Sequence, residues 1–384
     1  MSRSLTIRPG ASDANHKVHS NLFIETALSY ALSYIAAVDG PQIAPTTITI
    51  LADNDYYSTP AALSAFTDDA GSLPRFHNFA VPISSAHKTG LGSSAALVTA
   101  FTGALLSYYM PRTSFDLATE TGKRRLHNLA QAAHCSAQGK VGSGFDVASA
   151  VYGSCLYRRF TPTILSKQPS PGHASFGTRL RQLVDETGET GEWDTEIHKD
   201  EVRVPRGVRL VMCDVSCGSQ TPGMVKQVLA WRQANPDEAG SIWEELQEAN
   251  EGLAKEMTAL ASSDATAGFD MLSACFTRIR KGIRVMSEKS GVPIEPRSQT
   301  ELLDACEAIP GVIGGVVPGA GGYDAISLLI RDDERTVLEL TNLLGGWKFK
   351  GEADGIEIDG RVSMLGVREE MEGVRVERSN AYEQ

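Results

Sequence analysis

Residues Lys88-Thr-Gly-Leu-Gly-Ser-Ser-Ala-Ala96 form a glycine-serine loop that opens directly into the apolar stretch Leu97 to Met110. The chemistry this spacing suits is anion binding. Gly90 and Gly92 permit backbone angles closed to other residues, so that successive N–H groups can converge on one anion. Ser93 and Ser94 can cap the helix that starts here, whose N-terminus carries partial positive charge. Lys88 adds a full charge beside it. A ligand-free strand-to-helix turn is the alternative for a bare Gly-x-Gly, and the two serines and the lysine favour phosphate over it. A Walker A loop is excluded because the lysine precedes both glycines. A dinucleotide fingerprint is excluded because Ala95 stands where the third glycine belongs.

Two more glycine segments follow, Gln138-Gly-Lys-Val-Gly-Ser-Gly-Phe-Asp-Val-Ala148 and Pro318-Gly-Ala-Gly-Gly-Tyr-Asp324. In the second segment, Asp146 either orients a site or organises a cation, or else it caps a helix at Val147. Lys140 is a site cation or an exposed salt-bridging lysine. Arg158 and Arg159 could clamp a carboxylate, but neighbours on a strand face opposite ways, so at most one reaches the site. His127 and His134, seven apart on one helix, read as packed polar residues rather than metal ligands. Glycines between two strands in the third segment could form a hairpin, but four small residues in succession suggest a close approach to the backbone.

The elements that must position these segments follow from periodicity. Leu22 to Val38 and Arg124 to Gly139 read as helices, and Thr46 to Leu51 alternates as a strand. The stretch 167–201 shifts to Pro, Gly, Thr, Glu and Asp and reads as an insertion or linker with some helix near Arg179 to Val184. A domain boundary is expected near Pro205. Beyond it come a buried strand at Val208 to Cys213, helices at Gly223 to Asn235 and Trp243 to Leu260, and a long amphipathic helix. The last carries Phe269, Leu272, Phe276, Ile279, Ile283 and Met286 at alternating spacings of 3 and 4 and is closed by Gly291. Strands Val312 to Val317 and Ala325 to Ile330 flank the third loop, and the tail beyond Gly351 looks acidic and irregular.

The net charge of -11 argues against a nucleic-acid or anionic-membrane partner, so an anionic substrate needs local cations. Six scattered cysteines, with only Cys213 and Cys217 close in sequence, fit reduced core thiols rather than a zinc site. Neither a signal-peptide core nor an apolar run long enough to span a membrane is present, and a cytoplasmic location is expected.

In this order the three loops resemble the GHMP superfamily of small-molecule kinases, which includes galactokinase, homoserine kinase, mevalonate kinase and phosphomevalonate kinase. The string His134-Cys-Ser-Ala-Gln-Gly-Lys-Val-Gly-Ser-Gly-Phe-Asp146, with Ile294-Glu-Pro and Gln299-Thr-x-Leu-Leu303, is similar to the eukaryotic, fungal-type phosphomevalonate kinases, over most of the chain from Leu22 to Arg368. The resemblance implies an α+β, two-domain GHMP-kinase fold with the active site between the domains. Residues 1–205 would form a ribosomal S5 domain 2-like N-terminal domain and residues 206–384 a ferredoxin-like C-terminal domain. It implies phosphoryl transfer from ATP, with Mg²⁺, to the small-molecule substrate 5-phosphomevalonate in isoprenoid and sterol synthesis. Carried over, Gly90, Leu91, Gly92, Ser93, Ser94 and Ala95 would cradle the ATP phosphates, with Ser94 near the metal. Asp146 and Lys88 would be catalytic. Lys140, Gly142, Ser143, Ser219, Gly321, Gly322 and Asp324 would line the substrate side.

The family's first motif, Pro-Gly-Lys followed by a glycine pair, does not occur in residues 1–88, so the chain is expected to begin inside an incomplete N-terminal domain. A catalytically impaired homologue with a binding role, or a sibling kinase for another small molecule, are the alternatives carried forward. The oligomeric state is left open.

Overall fold

The computed structural model describes residues 20–57, 76, 88–166, 168–187, 193–199, 201–216, 223–262, 268–350, 357–358 and 360–377. The Asn21 side chain starts helix α1 (Leu22–Val38) by accepting from the amides of Phe23 and Ile24. The apolar face of α1, with Ala27, Ala31, Tyr34 and Ile35 fully buried, packs on α2 (Ser93–Tyr109), α3 (Glu120–Gln138) and α6 (Phe176–Val184). Thr119 caps α3 through the Gly122 amide, and α4 (Phe145–Tyr152) closes the group against α2 and α3. A two-stranded antiparallel ribbon, β1 (Leu156–Arg158) with β2 (Glu196–His198), lies beside it, and the short α5 (Thr163–Ser166) connects onward to α6.

The second half is built on one antiparallel sheet. Strand β3 (Val208–Ser216) pairs with β5 (Ala325–Arg331) on one side and β8 (Arg361–Met364) on the other, and β4 (Val312–Val316) pairs with β5, giving the order β4-β5-β3-β8. Between β3 and β4 run α7 (Met224–Ala234), α8 (Pro236–Ala261), α9 (Asp270–Ser290) and α10 (Arg297–Glu307); α11 (Glu334–Gly346) lies between β5 and β8. A minor ribbon pairs β6 (Phe349–Lys350) with β7 (Glu357–Ile358). The βαββαβ order is that of a ferredoxin-like unit. On α9, Leu272, Phe276, Ile279 and Met286 are buried and Gly291 closes the helix with φ 67°, as the alternating spacing requires.

Several segments differ from expectation. Thr46 to Leu51 is exposed and in no regular strand, and its described anchor is Tyr109, whose hydroxyl lies 2.8 Å from Thr46 Oγ1 and donates to the Ala44 carbonyl. Alternation alone makes no strand without a neighbour to pair with. The described part of 167–201 is no linker: Phe176, Leu180, Leu183 and Trp193 are buried in the first core, and Trp193 Nε1 donates to the Leu183 carbonyl. Its polar composition hid four well-placed apolar residues. Nor is the C-terminal tail irregular throughout. It supplies β8 and then returns to the first half, where the Ser154 amide donates to the Glu370 carbonyl at 2.7 Å and Gly153 and Gly373 pack backbone to backbone.

Candidate active site

The first loop ends in a helix start shaped by glycine. Gly90 and Gly92 are left-handed at φ 76° and 72°, and Gly92, not a serine, is the N-cap of α2, with no side-chain cap. The expected serine cap is therefore corrected: Ser93 and Ser94 lie inside the first turn, at positions whose amides have no carbonyl one turn back, while the Ala95 and Ala96 amides return to the Gly92 carbonyl. Ser94 turns its hydroxyl inward instead, to within 3.1 Å of His134 Nε2. Lys88 is bridged to Tyr57 by backbone pairing, and its ammonium sits 5.9 Å from the Phe23 ring.

The second loop leaves α3 through Gly139, left-handed at φ 66°, whose amide and that of Lys140 return to the Cys135 carbonyl. It enters α4 through Gly144, φ 84°, again an N-cap without a side-chain cap. Any other residue would be strained at that φ and would displace the Tyr157 hydroxyl and Gln131 Oε1, which a Cβ on Gly144 would approach to 2.6 and 2.7 Å. The loop between is held by its carbonyls: Tyr157 donates to Ser143 at 2.9 Å and Arg159 to Val141 at 3.0 Å. Arg158 instead pairs with Glu196 on the β-ribbon, so one arginine of the two reaches the loop. Asp146 lies in the first turn of α4, accepting from the Val147 amide through Oδ1 and placing Oδ2 3.9 Å from His134 Nε2. Its other face meets the first loop, because a Cβ on Gly92 would lie 3.4 Å from Asp146 Cβ.

In the third loop Gly319, Gly321 and Gly322 are all at positive φ. The loop is pinned from behind. The Gly322 amide donates to the Ile294 carbonyl at 2.8 Å, and Gln299, fully buried, donates through Nε2 to the Tyr323 carbonyl at 2.8 Å. Glu295, next to Ile294, is itself buried in an ion cluster with Arg280, Arg284 and, through Arg280, Asp304 and Glu307. At the front, Gly321, Gly322, Tyr323 and Asp324 face Lys140 of the second loop across a cleft of about 500 Å³. The start of α7 forms another wall with Met224, Val225, Lys226 and Leu229, and this helix too has a left-handed glycine N-cap, Gly223, and no side-chain cap. Burial raises the Asp324 carboxyl above the usual carboxylate range.

The three loops thus converge. Gly90 closes the circuit, since a Cβ there would lie 4.0 Å from Ala325 Cβ, next to the third loop. Three helix N-termini with glycine caps border this region, while α1, α3 and α11 are capped by Asn21, Thr119 and Asp333 side chains. Ser219 falls outside the described residues. Sequence reasoning treated His134 only as a packed residue and overlooked Gln131, Tyr157 and Lys226. The spacing of His134 and Gln138, four apart immediately before Gly139, was the available signal, because it sets both on one helix face at the loop. Among the described residues no group of three or more His, Cys, Asp and Glu side chains could hold a metal, and no helix is long and apolar enough to cross a membrane.

Residues 61–154, which include the first two loops, match the family model described as the GHMP kinases N terminal domain. The phosphomevalonate kinase of Gibberella zeae is 51% identical over 370 residues, covering 95% of this chain and 78% of that protein. The phosphomevalonate kinase of Aspergillus fumigatus is 50% identical over 368 residues, 94% of this chain and 75% of that protein. Among solved structures, a Lin0012 protein from Listeria innocua shares the fold with a TM-score of 0.58 at 20% identity, covering 94% of this chain and 84% of that one. With half of its residues shared along nearly its whole length, and its three glycine loops brought close to one another, this chain belongs to the phosphomevalonate kinase family of GHMP kinases.

Proposed function

We propose that this chain transfers the γ-phosphoryl group of ATP to the phosphate of 5-phosphomevalonate, giving 5-diphosphomevalonate and ADP, as an enzyme of isoprenoid and sterol synthesis. The observation that carries the reading is the close approach of Gly92 to Asp146, which sets an uncapped helix start beside a carboxylate. Phosphoryl transfer asks a protein mainly for positioning and charge neutralisation, and this arrangement offers both.

The residues fit the nucleotide and its metal. Amides at the start of α2 suit phosphate oxygens, and Ser94 Oγ with the Asp146 carboxylate are the hard oxygen donors that Mg²⁺ takes. When bound, Mg²⁺ neutralises charge on the phosphates and orients them. Gly90, Leu91, Gly92, Ser93 and Ala95 hold the phosphate chain, and Lys88 adds charge at its edge. Because a phosphate monoester loses its second proton with a pKa of about 6, the acceptor is already a nucleophile near neutral pH. Asp146 therefore orients the site rather than serving as a strong base. Gly142 and Ser143 present the second loop to the acceptor, Lys140 supplies charge, and Gly321, Gly322 and Asp324 close the far wall; Ser219 keeps the role the resemblance implies. The division is residues 1–205 and 206–384, with the segment around Glu370 returning to the first unit. A cytoplasmic location goes with it, supported by the free thiols of Cys135, Cys155, Cys213, Cys275 and Cys306.

The test is ADP release with Mg-ATP and, in parallel, 5-phosphomevalonate, mevalonate, galactose and homoserine. Release with phosphomevalonate alone is expected. Release with one of the other acceptors in its place would overturn the substrate assignment.

A further inference from the structure

None of the roles above uses the contact between Ser94 and His134. His134 is 2% exposed and lies under the Phe23 ring, with centroids 5.5 Å apart. Its Nε2 faces Ser94 Oγ at 3.1 Å, Gln138 Nε2 at 3.3 Å and Asp146 Oδ2 at 3.9 Å. With the amide nitrogen of Gln138 turned towards it, Nε2 accepts and the ring proton sits on Nδ1. With Nε2 an acceptor, the Ser94 hydroxyl, the nearer of the two at 3.1 Å, is a donor that shares this one lone pair with Gln138. The lone pairs of Ser94 Oγ are then turned away from α3, outward from the helix start. With a proton on Nε2 the sense would reverse, and Ser94 would point its own proton outward, against any cation.

We propose that His134 is a positioning residue, which holds the Ser94 hydroxyl as a lone-pair donor for the divalent cation that accompanies the nucleotide. The inference rests on the reading of Ser94 given under Proposed function. It adds a residue that touches neither substrate nor nucleotide and acts only through another side chain, as outer-shell partners of metal ligands do.

Two measurements test it. In ¹⁵N NMR of histidine-labelled full-length protein, His134 should show a protonated Nδ1 and an unprotonated Nε2. A proton on Nε2 would overturn the proposal, and this arm needs no mutation of a buried residue. In calorimetry, ADP binding is compared with and without Mg²⁺ for the wild type, Ser94→Ala, His134→Leu and the double variant. Each single change should reduce the Mg²⁺-dependent gain in ADP affinity about tenfold, and the double change should reduce it no further. Metal-free ADP affinity should fall clearly less than affinity with Mg²⁺ in each variant. His134→Gln, which keeps an acceptor, should recover most of the gain. Losses that multiply in the double variant, or a fall in metal-free affinity equal to that with Mg²⁺, would show a merely structural role and overturn the proposal. A chain that binds no nucleotide at all would defeat the kinase reading instead, while the tautomer measured by NMR would still decide the geometry around Ser94.

Discussion

Gly92 and Asp146 approach closely across the junction of α2 and α4, with 3.4 Å between the place a Cβ on Gly92 would take and Asp146 Cβ. The anion-binding backbone and the carboxylate are therefore one unit, and moving either disturbs the other. Gly92 also holds φ 72°, where an L side chain costs about 1–2 kcal/mol. Gly92→Ala should lower the midpoint of thermal unfolding by a few degrees and weaken ADP binding. Calorimetry and a melting curve check this, and wild-type ADP affinity in the variant would separate the loop from the nucleotide.

Asp146 accepts a single short backbone bond, from Val147, and is only partly buried, so the fold does not depend on its charge. Asp146→Ala should leave the melting temperature within a few degrees while turnover falls by about 10²-fold or more, as loss of one preorganised electrostatic contact does. Steady-state kinetics reads the outcome. Unchanged kcat would remove Asp146 from the mechanism.

The third loop is held through Glu295. Its side chain is fully buried against Arg280 and Arg284, and its neighbour Ile294 accepts the Gly322 amide. Removing Glu295 leaves Arg280 its bonds to Asp304 and Glu307, so the cost is that of charged hydrogen bonds lost inside the fold, about 1.5–3 kcal/mol, and not that of a stranded charge. Glu295→Ala should show that loss in urea unfolding, together with a raised KM for the acceptor. A loss below about 1 kcal/mol would mean the cluster does not hold the loop.

His127 gives a pH dependence separate from the active site. It is buried between Tyr152 and Trp193, and burial pushes its pKa down from 6.5 to about 4. The unfolded chain takes up this proton first as pH falls. The stabilisation is therefore complete above pH 6.5 and is lost, at roughly 1.4 kcal/mol per pH unit, between pH 6.5 and about 4. His127→Phe should flatten this part of the stability profile in urea unfolding at several pH values. An unaltered slope would assign the acid sensitivity to other groups.

The loops were legible in the sequence because glycine at positive φ is a local demand, met at Gly90, Gly92, Gly144, Gly321 and Gly322 by the residue itself. The long helix α9 was legible for the same reason, its apolar stripe being written at fixed spacing. What the sequence concealed depends on distant partners. His134 becomes part of the site only because α2 brings Ser94 across to it, and Arg159 is separated from Arg158 only by the pleat of β1. The strand expected at Thr46 to Leu51 has no pairing partner among the described residues, and β8 was missed because a four-residue edge strand borrows its order from β3. The buried face of α6 was lost in a polar stretch whose average composition outweighed its pattern.

The central claim is that phosphoryl transfer here ends on a phosphate, and ³¹P NMR of the products formed by the chain from Mg-ATP and 5-phosphomevalonate tests it most directly. The account predicts the paired resonances of a new diphosphate monoester growing together with those of ADP. Inorganic phosphate appearing with ADP while the phosphomevalonate resonance stays unchanged would contradict it.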